Sequence, residues 1–232
     1  MNKSRVIVSL DYSNENQALE FCKKVNPTDC KIKVGKELFT AEGPALIEKL
    51  RVLGFEIFLD LKYHDIPNTV AKACRAALDL DIWMLNIHAS GGRQMMEAAR
   101  ETIEKYSKKR KPLLIAVTVL TSISSDDLIQ LGVTNSVNKQ TMFLAKIAKG
   151  VGLDGVVCSG MEARSLRDEL GEDFCLVTPG IRLVNSKNDD QKRVMTPINA
   201  IKAGSDYLVI GRPITEAKDP KNVLYSINKS IN

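Results

Sequence analysis

The chain is poor in the residues that most metal and cofactor sites are built from. Its 232 residues hold only two histidines and one tryptophan. No Cys-x-x-Cys pair and no His-Glu-x-x-His string occurs, so no zinc site is expected. The five cysteines, at 22, 30, 74, 158 and 175, are dispersed and odd in number. Such a set points to reduced thiols in a cytoplasmic protein rather than a disulfide framework. No run of 18 apolar residues exists, so no membrane span is expected. The polar N-terminal residues lead directly into Val6-Ile7-Val8, without the longer apolar stretch of a secretory signal. Gly-x-Gly-x-x-Gly is also missing, so Gly91-Gly92 is expected to form a turn and not a dinucleotide fingerprint.

What is present suits one large enzyme-sized domain. Hydrophobic residues make up 44% of the chain, enough for a sizeable core. The net charge is +5, and part of the excess lies in 105–111, with Lys105, Lys108, Lys109, Arg110 and Lys111. A solvated helix end and loop is the expected role of that run, with no nucleic-acid partner. The remaining positive charge could serve an anionic small substrate.

Strand-like and helix-like segments alternate from end to end. Strands are expected at 6–10, 31–34, 56–61, 84–88, 113–119, 155–158, 175–178 and 207–210. Amphipathic segments fall at 17–24, 45–53, 68–80, 94–106, 139–149, 162–170, 197–203 and 222–230. Eight such alternations over this length predict a (β/α)8 TIM barrel, one domain spanning 1–232. A doubly wound open sheet is the rival fold, because strand order is invisible in a sequence.

The barrel reading carries an internal check. Side chains alternate along a strand, and active-site groups should face inward at the C-terminal strand ends. Ile7, Ser9 and Asp11 share one face of the first strand, and Lys31 and Lys33 one face of the second. Phe58, Asp60 and Lys62 share a face of the third, and Asn86 and His88 a face of the fourth. Four consecutive strands thus end in polar residues opposite an apolar face. That pattern predicts a shared polar mouth.

The densest part of this mouth is Asp60-Leu61-Lys62-Tyr63-His64-Asp65. Charges at a strand end are costly unless they pair with each other or with a ligand. Asp11, Lys33, Asp60, Lys62 and Asp65 could form an alternating array, either closing the barrel end or performing chemistry. A lysine among carboxylates is held in its charged form. That disfavours Lys62 as a Schiff-base nucleophile and favours it as a proton donor or an electrostatic clamp for a developing carbanion. His88 is expected to be a pocket-wall or core residue rather than a base. Two further elements suggest phosphate binding: Thr178-Pro179-Gly180-Ile181-Arg182 and Ile210-Gly211-Arg212-Pro213. The loops after strands seven and eight of such barrels often take a phosphate, glycine lets backbone approach it, and arginine offers a matching fork.

Together these stretches resemble the orotidine 5′-monophosphate decarboxylase family, of the shorter bacterial type. The resemblance rests on V-S-L-D ending at Asp11, K-V-G-K-E-L-F from Lys33, and F-L-D-L-K-Y-H-D-I-P-N-T-V from Phe58. It continues through N-I-H-A-S-G-G from Asn86, V-T-V-L-T-S from Val117 and C-S-G from Cys158. It closes with T-P-G-I-R from Thr178, D-D-Q-K-R-V from Asp189 and V-I-G-R-P-I-T from Val209. D-x-K-x-x-D alone is shared by a wider group of barrels; the ordered set is far more specific.

The resemblance implies cofactor-independent and metal-free decarboxylation of orotidine 5′-monophosphate to uridine 5′-monophosphate, the last step of de novo pyrimidine nucleotide synthesis. It implies that Lys62 protonates the carbon that loses carbon dioxide, with Asp60 beside the substrate carboxylate. Asp11 would contact the ribose hydroxyls, and Lys33 would bridge ribose and array. Thr121 and Ser122 would lie near the ribose and pyrimidine edge. Arg182, Gly211 and Arg212 would complete the nucleotide site, and Gln191 would bridge phosphate and base from a closing loop. Asp65, Ile66 and Thr69 would reach into the partner subunit's site, which implies a homodimer with shared active sites. The chain departs from the family at Leu183, where Pro often follows the arginine, and at Asp81, where a small residue, often Gly, commonly precedes strand four. Two rivals remain at this stage. One is a magnesium-dependent sugar-phosphate decarboxylase or aldolase on the same barrel. The other is a non-catalytic nucleotide-phosphate sensor.

Overall fold

The computed structural model describes residues 4–107, 110–183 and 195–231. Eight parallel strands follow the chain: β1 (Val6–Leu10), β2 (Lys31–Gly35), β3 (Ile57–Tyr63), β4 (Met84–His88), β5 (Leu113–Val117), β6 (Gly155–Val157), β7 (Cys175–Thr178) and β8 (Tyr207–Ile210). They pair in sequence order, and β8 returns to β1, closing a barrel. This decides against the open sheet. The helices are α1 (Glu15–Cys22), α2 (Lys36–Val52), α3 (Pro67–Leu78), α4 (Arg93–Tyr106), α5 (Ser125–Gln130), α6 (Val137–Gly150), α7 (Gly160–Leu170), α8 (Pro197–Lys202), α9 (Arg212–Thr215) and α10 (Pro220–Ile231). Among the described residues no helix is long and apolar enough to cross a membrane.

Two apolar layers follow from strand alternation. Val8 and Leu10, Ile32 and Val34, Ile57 and Leu59, and Leu85 and Ile87 point outward and pack under the helices. Ile7, Phe58, Met84, Ile115 and Val177 point inward and fill the lumen. Each fully buried aliphatic side chain contributes about 1.5–3 kcal/mol, so the inward layer is a packed floor and not a pore.

Local sequence sets the helix boundaries. Pro67 opens α3 with its φ already set for a helix. Ser159 and Glu162 cap α7 reciprocally, and Ser124 and Asp127 do the same for α5. The α2 helix is broken at Gly43, where φ is 64°, just before Pro44. The periodicity beginning at 45 therefore revealed only its second half.

The basic run at 105–111 is tied to the surface. Arg110 pairs with Glu56, Lys111 meets Glu104 at 2.8 Å, and Lys105 lies over the Tyr106 ring. Lys108 and Lys109 fall outside the described residues. Asp81 takes a left-handed conformation (φ 51°), which a glycine would adopt without strain. Its carboxylate accepts a hydrogen bond from Arg51 at 2.7 Å, which offsets the strain.

Candidate active site

A cavity of about 260 Å³ opens at the C-terminal ends of the strands. Its floor includes Phe58, Val117, Val157 and Val209, all from the inward strand faces. One wall carries Asp11, Lys33, Asp60 and Lys62; the other carries Thr121, Gly180, Arg182, Gly211 and Arg212. Strand parity thus placed the charged mouth correctly. The two arginine-bearing loops converge on the same space.

The charges alternate through contact. Lys33 Nζ lies 3.3 Å from Asp11 Oδ1 and 3.2 Å from Asp60 Oδ2. Lys62 Nζ donates to Asp60 Oδ1 at 2.6 Å. Ser9 Oγ donates to Asp11 Oδ1 at 2.7 Å, orienting the first carboxylate. Burial is the largest influence on Asp60 and pushes its carboxyl up. Lys33, Lys62 and the hydrogen bonds from Lys62 and Asn86 outweigh it and hold the group below the usual carboxylate range. Asp60 is therefore an anion at neutral pH.

Asn86 completes this arrangement. Its Nδ2 donates to Asp60 Oδ1 at 2.7 Å, and its Oδ1 accepts the backbone N–H of Lys62 at 2.8 Å. Parity put Asn86 on the inward face, but nothing in the sequence reading gave it a partner. Lys62 has a φ of 54°, the left-handed region that side chains seldom adopt.

Two glycines shape the opposite wall. Gly180 has a φ of 78°, which turns the chain after β7 toward the cavity. A Cβ on Gly211 would lie 3.3 Å from Asp11 Oδ2 and 3.5 Å from Ser9 Cβ, so backbone and array approach closely there. Ile181 bridges Met195, and Arg182 N–H donates to Met195 O at 3.0 Å. Both flanks of the span 184–194 are thereby fixed beside the cavity, while Gln191 itself lies outside the described residues.

The other expected site residues sit elsewhere. Asp65, Ile66 and Thr69 are exposed at the start of α3, away from this cavity's lining. Asp65 Oδ1 accepts the Ile66 N–H at 2.6 Å, and Ile66 is 67% exposed. Ser122 is exposed and also absent from the lining, whereas its neighbour Thr121 belongs to it. His88 lies beside His64, with ring centroids 5.3 Å apart. Burial, then the nearby His64, Lys36 and Lys62, lower its pKa to about 4. It is neutral at pH 7 and does not belong to the cavity's lining.

A family model for the orotidine 5′-phosphate decarboxylase / HUMPS family matches residues 4–227. The chain belongs to this family. It is 56% identical over 227 residues to the orotidine 5′-phosphate decarboxylase of Hydrogenovibrio crunogenus, covering 98% of this chain and 95% of that one. It is 55% identical over 231 residues to the enzyme of that name from Vibrio campbellii, covering 100% and 99%. Among solved structures, the orotidine 5′-phosphate decarboxylase of Lactobacillus acidophilus superposes with a TM-score of 0.89 at 42% identity, covering 99% of both chains. An uncharacterized conserved protein from Geobacillus kaustophilus gives 0.86 at 36% identity, covering 98% of this chain and all of that one.

Proposed function

We propose that the protein decarboxylates orotidine 5′-monophosphate to uridine 5′-monophosphate, completing pyrimidine nucleotide synthesis, without a metal or organic cofactor. The observation that carries this reading is the Lys62 ammonium, held by Asp60 at 2.6 Å on the wall of a cavity whose other side bears Arg182 and Arg212. The near full-length relatives named for this activity support it.

The chemistry demands a fixed cation. The bond between pyrimidine carbon six and the carboxylate carbon breaks, carbon dioxide leaves, and the electron pair stays on carbon six. No neighbouring carbonyl is placed to receive that pair. A preorganised ammonium stabilises the developing charge and then transfers its proton to the carbon. Lys62 fills this role and regains a proton from water. Asp60 holds Lys62 and sits beside the departing carboxylate. Asp11 and Lys33 take the ribose hydroxyls, with Thr121 and Ser122 along the ribose and pyrimidine edge. Arg182, Gly211 and Arg212 receive the phosphate, joined by Gln191. Phosphate is remote from the reacting carbon, so its binding energy can drive closure over the substrate. A magnesium-dependent rival needs a carboxylate on the second strand, where this chain places Lys33.

Asp65, Ile66 and Thr69 complete the site of a second subunit in a homodimer. Their exposure, and the 67% exposure of apolar Ile66 in particular, supports that assignment.

Absorbance-monitored turnover of orotidine 5′-monophosphate in excess chelator tests the reaction. Lys62→Ala should lower kcat by about 10⁴-fold or more while leaving the fold intact. Near-normal turnover in that variant removes Lys62 from the mechanism, and chelator-sensitive activity on a ketose phosphate overturns the whole reading. Mixing Lys62→Ala with Asp65→Ala subunits should restore activity that neither has alone. No restoration would place each site within one chain.

A further inference from the structure

The β3 strand does not run evenly beside β4. Leu59 pairs with Leu85, but the next pairing is Tyr63 with Ile87, four steps along β3 against two along β4. The strand therefore bulges across Asp60, Leu61 and Lys62. An even register would set Lys62 level with His88. The bulge instead draws it back to the level of Asn86. This displacement leaves the Lys62 N–H without its ladder carbonyl, and the Asn86 side chain accepts that hydrogen bond at 2.8 Å.

We propose that Asn86 is the positioning residue of the charged array: one amide both holds Lys62 in its bulged, left-handed backbone and fixes the Asp60 oxygen that grips the Lys62 ammonium. The proposal rests on the decarboxylase reading above. Asn86 is 1% exposed, so water does not substitute for either of its bonds. The geometry calls for one acceptor and one donor on a short side chain, and asparagine supplies both. A leucine of similar size supplies neither. Aspartate keeps the acceptor for the Lys62 N–H but sets a second carboxylate 2.7 Å from Asp60, where the donor had been.

That difference gives a signature that a purely structural residue would lack. Two carboxylates so close cannot both ionise without strong repulsion, and one proton shared between them recreates the lost donor. The charged and titratable groups around position 86 are Asp60 and Lys62 from β3, Lys33 from β2 and Asp11 after β1. His88 follows on β4, influenced by His64 and Lys36, and the facing residue of β5 is apolar Ile115. Burial lowers the His88 pKa to about 4, so His88 itself does not supply an acid limb above pH 5.

The test compares pH profiles of kcat for the unaltered protein, Asn86→Asp and Asn86→Ala on orotidine 5′-monophosphate. Asn86→Ala should lose about 10²-fold in kcat, with KM within about threefold, because the lysine is misplaced while the phosphate grip is untouched. Asn86→Asp should lose as much at pH 8 and recover by at least about tenfold as the pH falls toward 5, an acid limb absent from the unaltered protein. A kcat profile in Asn86→Asp that parallels the unaltered one overturns the proposal. So does an Asn86→Ala protein that loses thermal stability but keeps kcat, or failure of both variants to fold at any pH. Failure of the unaltered protein to release carbon dioxide would instead overturn the decarboxylase reading, so the two failures are distinct.

Discussion

Lys31 and Lys33 stand two residues apart on the same inward face of β2, at opposite ends of the packed lumen. Lys31 is 2% exposed. Its ammonium donates to Ser4 O at 3.0 Å, lies 3.2 Å from Glu56 Oε2, and sits over the rings of Trp83 and Tyr207. Burial, only partly offset by Glu56, lowers its pKa. Lys33 instead borders the open cavity between two carboxylates. At the closed end of the barrel, carbonyl, carboxylate and aromatic faces absorb the charge. At the open end the charge is left facing a space that a ligand can enter. Residue type and strand parity are the same for both, so what separates the two lysines is what their neighbours leave open to the cavity.

Exchanging the two ends by mutation is the sharpest way to break this comparison. Lys33→Ala should lower kcat by about 10³-fold, while the unfolding free energy falls by less than in Lys31→Ala. Asp60 would still be held by Lys62 and Asn86. Steady-state kinetics and urea unfolding read the two effects separately. Lys31→Ala should do the reverse. It empties the space between two aromatic rings and uncovers Ser4 O, which costs about 3 kcal/mol of stability, yet kcat in the folded protein should stay within about twofold. If both variants lost turnover equally, the distinction between the two ends would fail.

His88 sharpens the comparison from the open end. Its pKa is lowered from the ordinary 6.5 to about 4, so the folded protein resists a proton that the unfolded chain accepts. The stability this provides is whole above pH 6.5 and is lost as the pH falls through 4. In His88→Gln, unfolding free energy should therefore fall less steeply with acid across that window. An unchanged slope would show that burial among its neighbours does not lower the His88 pKa in the folded protein.

Much of this molecule could be read before any coordinates. The limits of β1, β4, β7 and β8 coincide with the expected strands, because each is a short apolar run between breakers. Asp11, Lys33 and Asp60 reach one cavity because period-two alternation holds toward the strand ends, and Lys62 joins them across the bulge in β3. The α5 helix was not anticipated: it has six residues and only Leu128 buried, too little for a periodic signal. Its Ser124–Asp127 capping pair was the available clue. The role of Asn86 was hidden for a different reason. It depends on a register shift between two strands, and a single-strand pattern contains no information about its neighbour's offset. Ile66 and Thr69 were singled out by resemblance alone, and the charge pattern that grouped Asp65 with the array does not bring it into this cavity's lining.

The bulge in β3 also bears on how portable this chemistry is. The six residues from Asp60 to Asp65 look like a cassette that could be spliced into any parallel barrel. On an evenly paired strand the lysine would ride one residue pair higher, roughly 6–7 Å along the strand. A host without an asparagine on the adjoining strand would inherit the motif's letters but not its geometry. The smallest unit that an engineer could transplant is two strands and their offset.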